Sequence, residues 1–373
     1  MRACENGEFK IMTKTLNQKS RLNLLAIFIG LFFGLPAALW AKPISPEQQM
    51  AKPFLLPLKA PEPTDNPTTK AKVELGKQLF FDPRLSFDGT VSCNSCHNVM
   101  ASGTDNRPVS VGINGQRGGR GAPTVFNAAF LSVQFWDGRA DSLEAQAKGP
   151  LTNPIEMGMP NHDAVIERLK KSETYIDAFK SAFPGKDPVN IDNLAKAIAA
   201  YERTLITPNS PFDRWGRGDA SAISTIAQRG FKKMNEFGCT GCHSGQAFAG
   251  PAMPVGTGFF QKFPTFSDNA YVKKYDLAAD LGRQNVTKNE ADAHLFRVPT
   301  LRNVATTAPY FHNGKVTSLQ EAVRVMAKTQ LNRELTEVDV QDIYAFLVTL
   351  TGSIPEQTMP KLSKTLGTTL TPE

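Results

Sequence analysis

Cysteine and histidine are scarce in this chain, five of each in 373 residues. The cysteines are Cys4, Cys93, Cys96, Cys239 and Cys242, too few and too unevenly spread for a disulfide framework. Charge of one sign is also in short supply. The formal net charge is +7, but the first 41 residues hold five basic groups (Arg2, Lys10, Lys14, Lys19, Arg21) against two acidic ones (Glu5, Glu8), so the remainder carries +4. No run of Lys and Arg with interleaved aromatics occurs, which argues against nucleic acid as a partner. A mildly basic surface serves solubility; steering of an acidic protein partner is the competing use. Long apolar runs are confined to Leu22–Leu39. What remains is an ordinary soluble composition, 41% hydrophobic and 21% charged, on a chain long enough for two domains with a sizeable core.

The apolar run follows Lys14, Lys19 and Arg21 and ends at the small residue Ala41, the layout of an export signal over residues 12–41. Leu39 departs from the small-residue pattern at the cut, so an uncleaved membrane anchor is the alternative. Met12 is a candidate initiator, because residues 1–11 add nothing to the signal. Cleavage removes Cys4 and leaves four cysteines, all in two Cys-x-x-Cys pairs.

Both pairs end in histidine: Cys93-Asn94-Ser95-Cys96-His97 and Cys239-Thr240-Gly241-Cys242-His243. Two thiols to form thioethers and an adjacent imidazole to bind iron are what covalent haem attachment needs. A single tetrahedral zinc site would need neither histidine, and the pairs stand far beyond finger or ribbon spacing. A thioredoxin-like redox pair needs neither the histidine nor a second copy. The sequence therefore predicts two haem c groups, with His97 and His243 as iron ligands.

Residues 42–69 are rich in proline and are expected to be an extended arm with no core of its own. A helix is expected over Ala71–Phe81, stopped by Asp82-Pro83, and another over Ile223–Phe237, each just before an attachment site. Apolar, aromatic-bearing helices close each half, Ile191–Leu205 and Val338–Leu350. The unit of helix, attachment site, irregular middle and closing helix thus occurs twice, the layout of a small cytochrome c domain. The fold class is mainly α: two cytochrome c-like domains, each wrapped around one covalently attached haem, over 70–208 and 209–352, with a tail at 353–373. The tail either packs back on the first domain or stays loose. Gly112–Gly121, carrying Arg117 and Arg120, lacks the context of a phosphate loop; it is either a mobile or close-packed segment at a haem edge or a plain surface loop. Phe248, Phe259, Phe260, Phe263 and Phe266 either wall a haem or form a small core.

The remaining histidines are His162, His294 and His312. For the second haem, a methionine ligand would raise the potential and suit electron entry. Met326, shortly before the closing helix, is favoured by spacing over Met253. For the first haem no such ligand offers itself, since Met100 is too close to His97 and Met157 and Met159 flank an acid. An open iron binds peroxide, and breaking the O–O bond needs a group that moves a proton between its oxygens. Glu156 is the candidate, with a pKa raised by an apolar pocket; the bland alternative is a solvated surface acid.

From about Leu75 to Gly352 the chain resembles the bacterial di-haem cytochrome c peroxidases. The resemblance rests on residues 79–86 (Leu79-Phe80-Phe81-Asp82-Pro83-Arg84-Leu85-Ser86), on Ala122-Pro123-Thr124-Val125-Phe126-Asn127 and on Gln134-Phe135-Trp136-Asp137-Gly138-Arg139-Ala140. It continues through Ala145-Gln146-Ala147-Lys148-Gly149-Pro150, Val298-Pro299-Thr300-Leu301-Arg302-Asn303 and Ala308-Pro309-Tyr310-Phe311-His312-Asn313-Gly314. It implies a low-potential, peroxide-reducing first haem and a high-potential, electron-entry second haem. It further implies that Glu156 is the acid–base residue, Gln146 and Phe135 its pocket neighbours, Trp136 an aromatic bridge between the haems, and Met326 the axial ligand. His312 matches a histidine near the second haem; on its own terms it reads as an ordinary hydrogen-bonded turn histidine. Phe135, Trp136 and Gln146 on their own terms read as packing.

Two departures from the pattern stand out. Ile113 occupies the position where many members carry a histidine that caps the first haem at rest, which predicts an open, high-spin first haem unless His162 substitutes. Thr307 and Pro309 align with carbonyl donors to a calcium ion between the domains, but Gly121 stands where the family has an asparagine donor, which weakens that site. The expected activity is reduction of hydrogen peroxide in the periplasm with electrons from a small donor, a cytochrome or a copper protein, by a protein that the resemblance implies is a homodimer. The alternatives are a di-haem oxidase of the MauG type acting on a protein, which has tyrosine at the position of Met326, and a non-catalytic di-haem carrier.

Overall fold

The computed structural model describes residues 44–362. The expected signal, Cys4 and the last part of the tail lie outside the described residues. The chain begins with α1 (Pro46–Ala51) and runs into the first half through α2 (Lys70–Phe81), α3 (Cys93–Cys96), α4 (Leu143–Thr152), α5 (His162–Lys170), α6 (Glu173–Ala182) and α7 (Ile191–Glu202). The second half has α8 (Pro211–Gly216), α9 (Thr225–Glu236), α10 (Cys239–Cys242), β1 (Phe260–Lys262), α11 (Ala270–Lys274), α12 (Gln284–Thr287), β2 (Leu295–Arg297), α13 (Leu319–Leu331) and α14 (Glu337–Val348). The two strands pair antiparallel, Phe260 opposite Arg297. Among the described residues no helix is long and apolar enough to cross a membrane.

Helix ends follow local capping chemistry rather than the apolar pattern alone. α2 starts after Thr69, whose hydroxyl accepts from Lys72 N, and stops at Asp82 before Pro83. α9 starts later than expected because Ser224, accepting from Ala227 N, takes the N-cap. α14 opens with a capping box between Thr336 and Asp339.

The same helix crossing is built twice. A Cβ placed on Gly76 of α2 would lie 1.9 Å from the Ala197 carbonyl oxygen of α7, and one on Gly230 of α9 would lie 1.9 Å from that of Asp342 in α14. Only glycine permits either approach. An aromatic pair sits at each crossing: Phe80 and Tyr201, and Phe231 and Phe346, both with centroids 5.3 Å apart. Around them lie two separate cores. The first includes Leu79, Phe126, Leu151, Phe179 and Ile198; the second includes Phe212, Trp215, Phe248, Phe346 and Leu350. Burial of each such side chain contributes about 1.5–3 kcal/mol.

The halves meet on a polar hinge of three side chains. Asn127 and Asn303 end the two matching Pro-Thr segments, both with left-handed backbone (φ 64° and 60°). Both donate to the hydroxyl of Thr207, at 2.8 and 3.0 Å, while Asn127 Oδ1 accepts from Thr207 N and Asn303 Oδ1 from Gly352 N. Each terminal segment then packs on the half farther from it in sequence. Residues 44–69 are not simply extended: Ala51 and Phe54 enter the second core, Gln48 Nε2 donates to the Trp215 carbonyl, and Leu56 N donates to Asp213. Conversely, Leu362 packs on the first core, and Tyr201 donates its hydroxyl proton to Gln357. The tail therefore packs back on the first half as far as residue 362.

Candidate functional site

α3 and α10 are single turns, which put each cysteine pair on one short segment and deliver the following histidine at its end. His97 Nδ1 lies 2.9 Å from the Pro123 carbonyl oxygen, and His243 Nδ1 lies 3.0 Å from that of Phe248. A carbonyl only accepts, so Nδ1 carries the proton and Nε2 keeps a free lone pair, the form that binds iron. Burial lowers the pKa of both histidines, which keeps them neutral. None of the four cysteines is in a disulfide. Burial pushes Cys93 to about 12 and Cys96 and Cys239 to about 11, unlike a low-pKa redox pair. The donor set therefore fits two covalent haems. Among the described residues no cluster of His, Cys, Asp and Glu suits another metal.

A cavity of ≈260 Å³ in the second half is walled largely by apolar side chains and lined by Cys239, Cys242, His243 and Met326. Met253 lines a different cavity, of ≈390 Å³, with Phe130 and Phe259. Met326, on α13, therefore shares a cavity with His243, and Met253 does not line it. The aromatics of 248–266 divide between tasks: Phe263 lines the first cavity, Phe248 is fully buried in the core, and Phe266 is exposed.

In the first half, Glu156 follows α4 in a tight segment, its N–H donating to the Asn153 carbonyl. Desolvation raises its pKa, against the opposing influence of Arg139 and an Asn153 hydrogen bond. Arg139 lies 3.4 Å over the Phe135 ring, and Phe135 (φ 67°) lies against Gly149 of α4, one turn beyond Gln146. Phe135 thus touches both α4 and Arg139, and the Arg139 charge acts on Glu156; the sequence alone assigns Arg139 no role. The only signal for it was its place in the Phe-Trp-Asp-Gly-Arg run. Trp136 donates its indole N–H to the Gly121 carbonyl at 2.9 Å, lines the second-half cavity, and stands edge-on to His312 at 6.3 Å.

Ile113 is 5% exposed and belongs to the first core. Its loop is fastened to the Glu156 segment, with Ile113 N donating to the Glu156 carbonyl and Gln116 Nε2 to that of Pro154. His162 Nε2 is 3.1 Å from the Lys148 carbonyl oxygen and so is already engaged. Around Thr307 and Pro309, the amide of Asn106 donates to the neighbouring Thr306 and Ala308 carbonyls, at 2.9 and 2.8 Å. That amide offers a cation no oxygen there. His312 lies in a turn and its carbonyl accepts from Gly121 N at 2.8 Å, while its buried ring Nε2 has no partner among the described residues.

Residues 70–221 match the family model described as di-haem cytochrome c peroxidase. The chain is 45% identical over 324 residues to the cytochrome c551 peroxidase of Pseudomonas aeruginosa, covering 85% of this chain and 89% of that one. The cytochrome c551 peroxidase of Nitrosomonas europaea is 42% identical over 342 residues, with 91% and 94% covered. The chain belongs to the di-haem cytochrome c peroxidase family. Membership makes it a haem-dependent oxidoreductase of two cytochrome c-like domains with two haem c groups. Among relatives of this peroxidase family, the methylamine utilization protein MauG of Methylorubrum extorquens is 37% identical over 83% of this chain and 86% of its own. Among solved structures, a MauG-like protein associated with microbial copper homeostasis superposes with TM-score 0.70 at 29% identity, over 80% of this chain and 95% of that one.

Proposed function

We propose that this peroxidase takes electrons from a small cytochrome or copper protein at the second site and reduces hydrogen peroxide to two waters at the first, consuming two electrons and two protons per peroxide. When bound, the haems supply the electron storage and the iron at which the O–O bond is cleaved. Residues 70–208 form the peroxidatic domain and 209–352 the electron-entry domain. His97 and His243 would hold the two irons through their free Nε2 atoms, and Met326 would supply the further ligand at the iron of His243. Trp136, between the halves, carries the electron across. At the first site Glu156 accepts the proton of the inner peroxide oxygen and returns it to the outer one, with Gln146 and Phe135 bounding the pocket and Arg139 holding charge beside it. With Ile113 in its loop instead of a histidine, no side chain there could bind the first iron, which would be open to peroxide without prior reduction.

The observation that best supports this reading is the Glu156 carboxyl, partly buried with a raised pKa, on a residue whose backbone carbonyl is tied to the N–H of Ile113, a residue whose side chain cannot bind iron. Glu156→Gln should lower peroxide turnover about 10²–10⁴-fold while leaving the haem spectra unchanged; turnover that survives the substitution removes Glu156 from this role. The oxidised protein should show one high-spin and one low-spin haem, whereas two six-coordinate low-spin haems would favour the electron carrier. Met326, in place of the tyrosine of the MauG type, favours the peroxidase over the oxidase. The protein works in the periplasm as a homodimer. A calcium ion at the Thr307 and Pro309 carbonyls would draw most of its six or more oxygens from water, and binding measured by calorimetry should be weak.

A further inference from the structure

Two arginines share one buried carboxylate next to Trp136. Asp137 is 3% exposed. Arg139 Nη1 donates to both of its oxygens, at 3.0 and 2.9 Å, and Arg139 N donates to Oδ1 at 3.2 Å. Arg120 Nη1 donates to Oδ2 at 2.6 Å, while its Nε and Nη2 clasp Asp280 of the second half at 2.6 and 2.9 Å. The charge of Asp137 also reaches Arg297, and Arg283 donates to the Asp137 backbone carbonyl at 3.0 Å. Among the described residues Arg139 makes an ion pair with no other carboxylate, and its guanidinium lies 3.4 Å over the Phe135 ring. Burial raises the Glu156 pKa; the Arg139 charge and an Asn153 hydrogen bond oppose it. The Glu156 charge acts in turn on Cys96, whose thiol haem attachment would consume. With 36% of its side chain exposed, Arg139 has room to swing, and the acid its charge already reaches is Glu156. A direct pair of that kind lowers a carboxyl by about 1–3 pKa units.

We propose that Asp137 is a positioning residue of the peroxide site, an inference that rests on Glu156 as the proton relay read above: it holds Arg139 on the Phe135 ring, within electrostatic reach of Glu156 but out of ion pair with it. Glu156 then stays an unpaired carboxyl that takes up a proton near neutrality and gives it back. An arginine fork on Glu156 would instead fix its proton-free form. Arg120 braces the arrangement from the junction between the halves. Clasped to Asp280, it takes one oxygen of Asp137 and leaves the carboxylate to serve Arg139 as well.

The test uses the haem-loaded protein and follows the Glu156 carboxyl by infrared difference titration, its band assigned by loss in Glu156→Gln, alongside the acid limb of kcat/KM for peroxide. Asp137→Asn should release Arg139 onto Glu156 and raise the proton concentration at the midpoint about tenfold or more. Arg139→Gln should lower it. Adding Asp137→Asn to Arg139→Gln should move the midpoint no further than about twofold, because Asp137 acts through Arg139. A midpoint within about twofold of wild type in Asp137→Asn overturns the inference. So does a shift that persists in full in the Arg139→Gln background, which is what the carboxylate's own charge would give. If Asp137→Asn does not fold, Asp280→Asn decides, at a carboxylate nearer the solvent. Arg120 then competes for Asp137, and the midpoint should move the same way by about threefold; no movement overturns the inference. Turnover that survives Glu156→Gln sinks the functional reading, whereas the infrared midpoints still report whether Asp137 keeps Arg139 off Glu156.

Discussion

Replacing Phe54 by alanine should loosen the second haem site although Phe54 lies nearly two hundred residues before it in the chain. Its ring is 8% exposed, stacked on Phe248 at 4.8 Å and edge-on to Phe231 at 5.7 Å. Those partners are themselves wedged against Phe212 and Phe346, so the space left behind cannot readily collapse. Phe→Ala in a core costs about 3–5 kcal/mol, and the rigid surround places this case near 4. Each lost aromatic contact accounts for about 0.5–1.5 kcal/mol of that total. The assay is urea unfolding followed separately through the visible bands of the two haems. The second-haem transition should move to lower urea by the equivalent of about 4 kcal/mol, and the first-haem transition by clearly less. Leu58→Ala, in the same arm with its side chain 62% exposed, should change neither by more than about 0.5 kcal/mol. A Phe54→Ala effect as small as that of Leu58→Ala, or one equal at both haems, would refute the claim that this segment completes the second core.

Two further perturbations address the first core and the helix crossings. Glu202 is 5% exposed, and burial, with the Glu144 charge acting in the same direction, raises its carboxyl to about 8. A raised pKa means its stabilising contribution is whole below the ordinary value of about 4.5 and is lost as pH rises through about 8. Wild-type stability should therefore fall by up to about 1.4 kcal/mol per pH unit across that window. Glu202→Gln should flatten the decline in urea titrations at pH 5, 6.5 and 8, and parallel curves would sink the assignment. Gly230→Ala places a Cβ 1.9 Å from the Asp342 carbonyl and 2.7 Å from Phe346 Cβ. It should cost about 2–3 kcal/mol despite the roughly 1 kcal/mol helix-propensity gain, and a melting temperature equal to wild type would show that the helices can part freely.

Much of the site was legible because its chemistry is local in sequence. The attachment motifs single out His97 and His243 as the proposed proximal ligands, and the helices before and after them follow from capping residues and apolar spacing, as at Thr69, Ser224 and Thr336. Met326 was favoured over Met253 by spacing, and the cavity linings separate the two. The rest depends on contacts between distant segments, which no local period encodes. Seven prolines made residues 42–69 read as an isolated arm and masked the core role of Ala51 and Phe54; the apolar triplet Phe54-Leu55-Leu56 was the available clue. Arg139 sits in a recognisable motif and Arg297 directly before one, but what distinguishes them is a ring underneath one and a missing carboxylate beside the other. The Asn127–Thr207–Asn303 hinge likewise joins three positions that are unremarkable one by one.

The crossed seating of the termini sets an order on how the protein is made. Residues 46–56 are made early, yet the surface they seat on includes Trp215, Phe231 and Phe248. They must wait, uncovered, until almost the whole polypeptide has emerged, while the first half can gather its own nucleus early. Closure of the second half is then a late event between sequence-distant pieces, the kind that chain entropy makes slow. Until it happens, the cavity beside His243 lacks the packing behind it, which leaves an interval in which the second haem can be installed before the wall is finished.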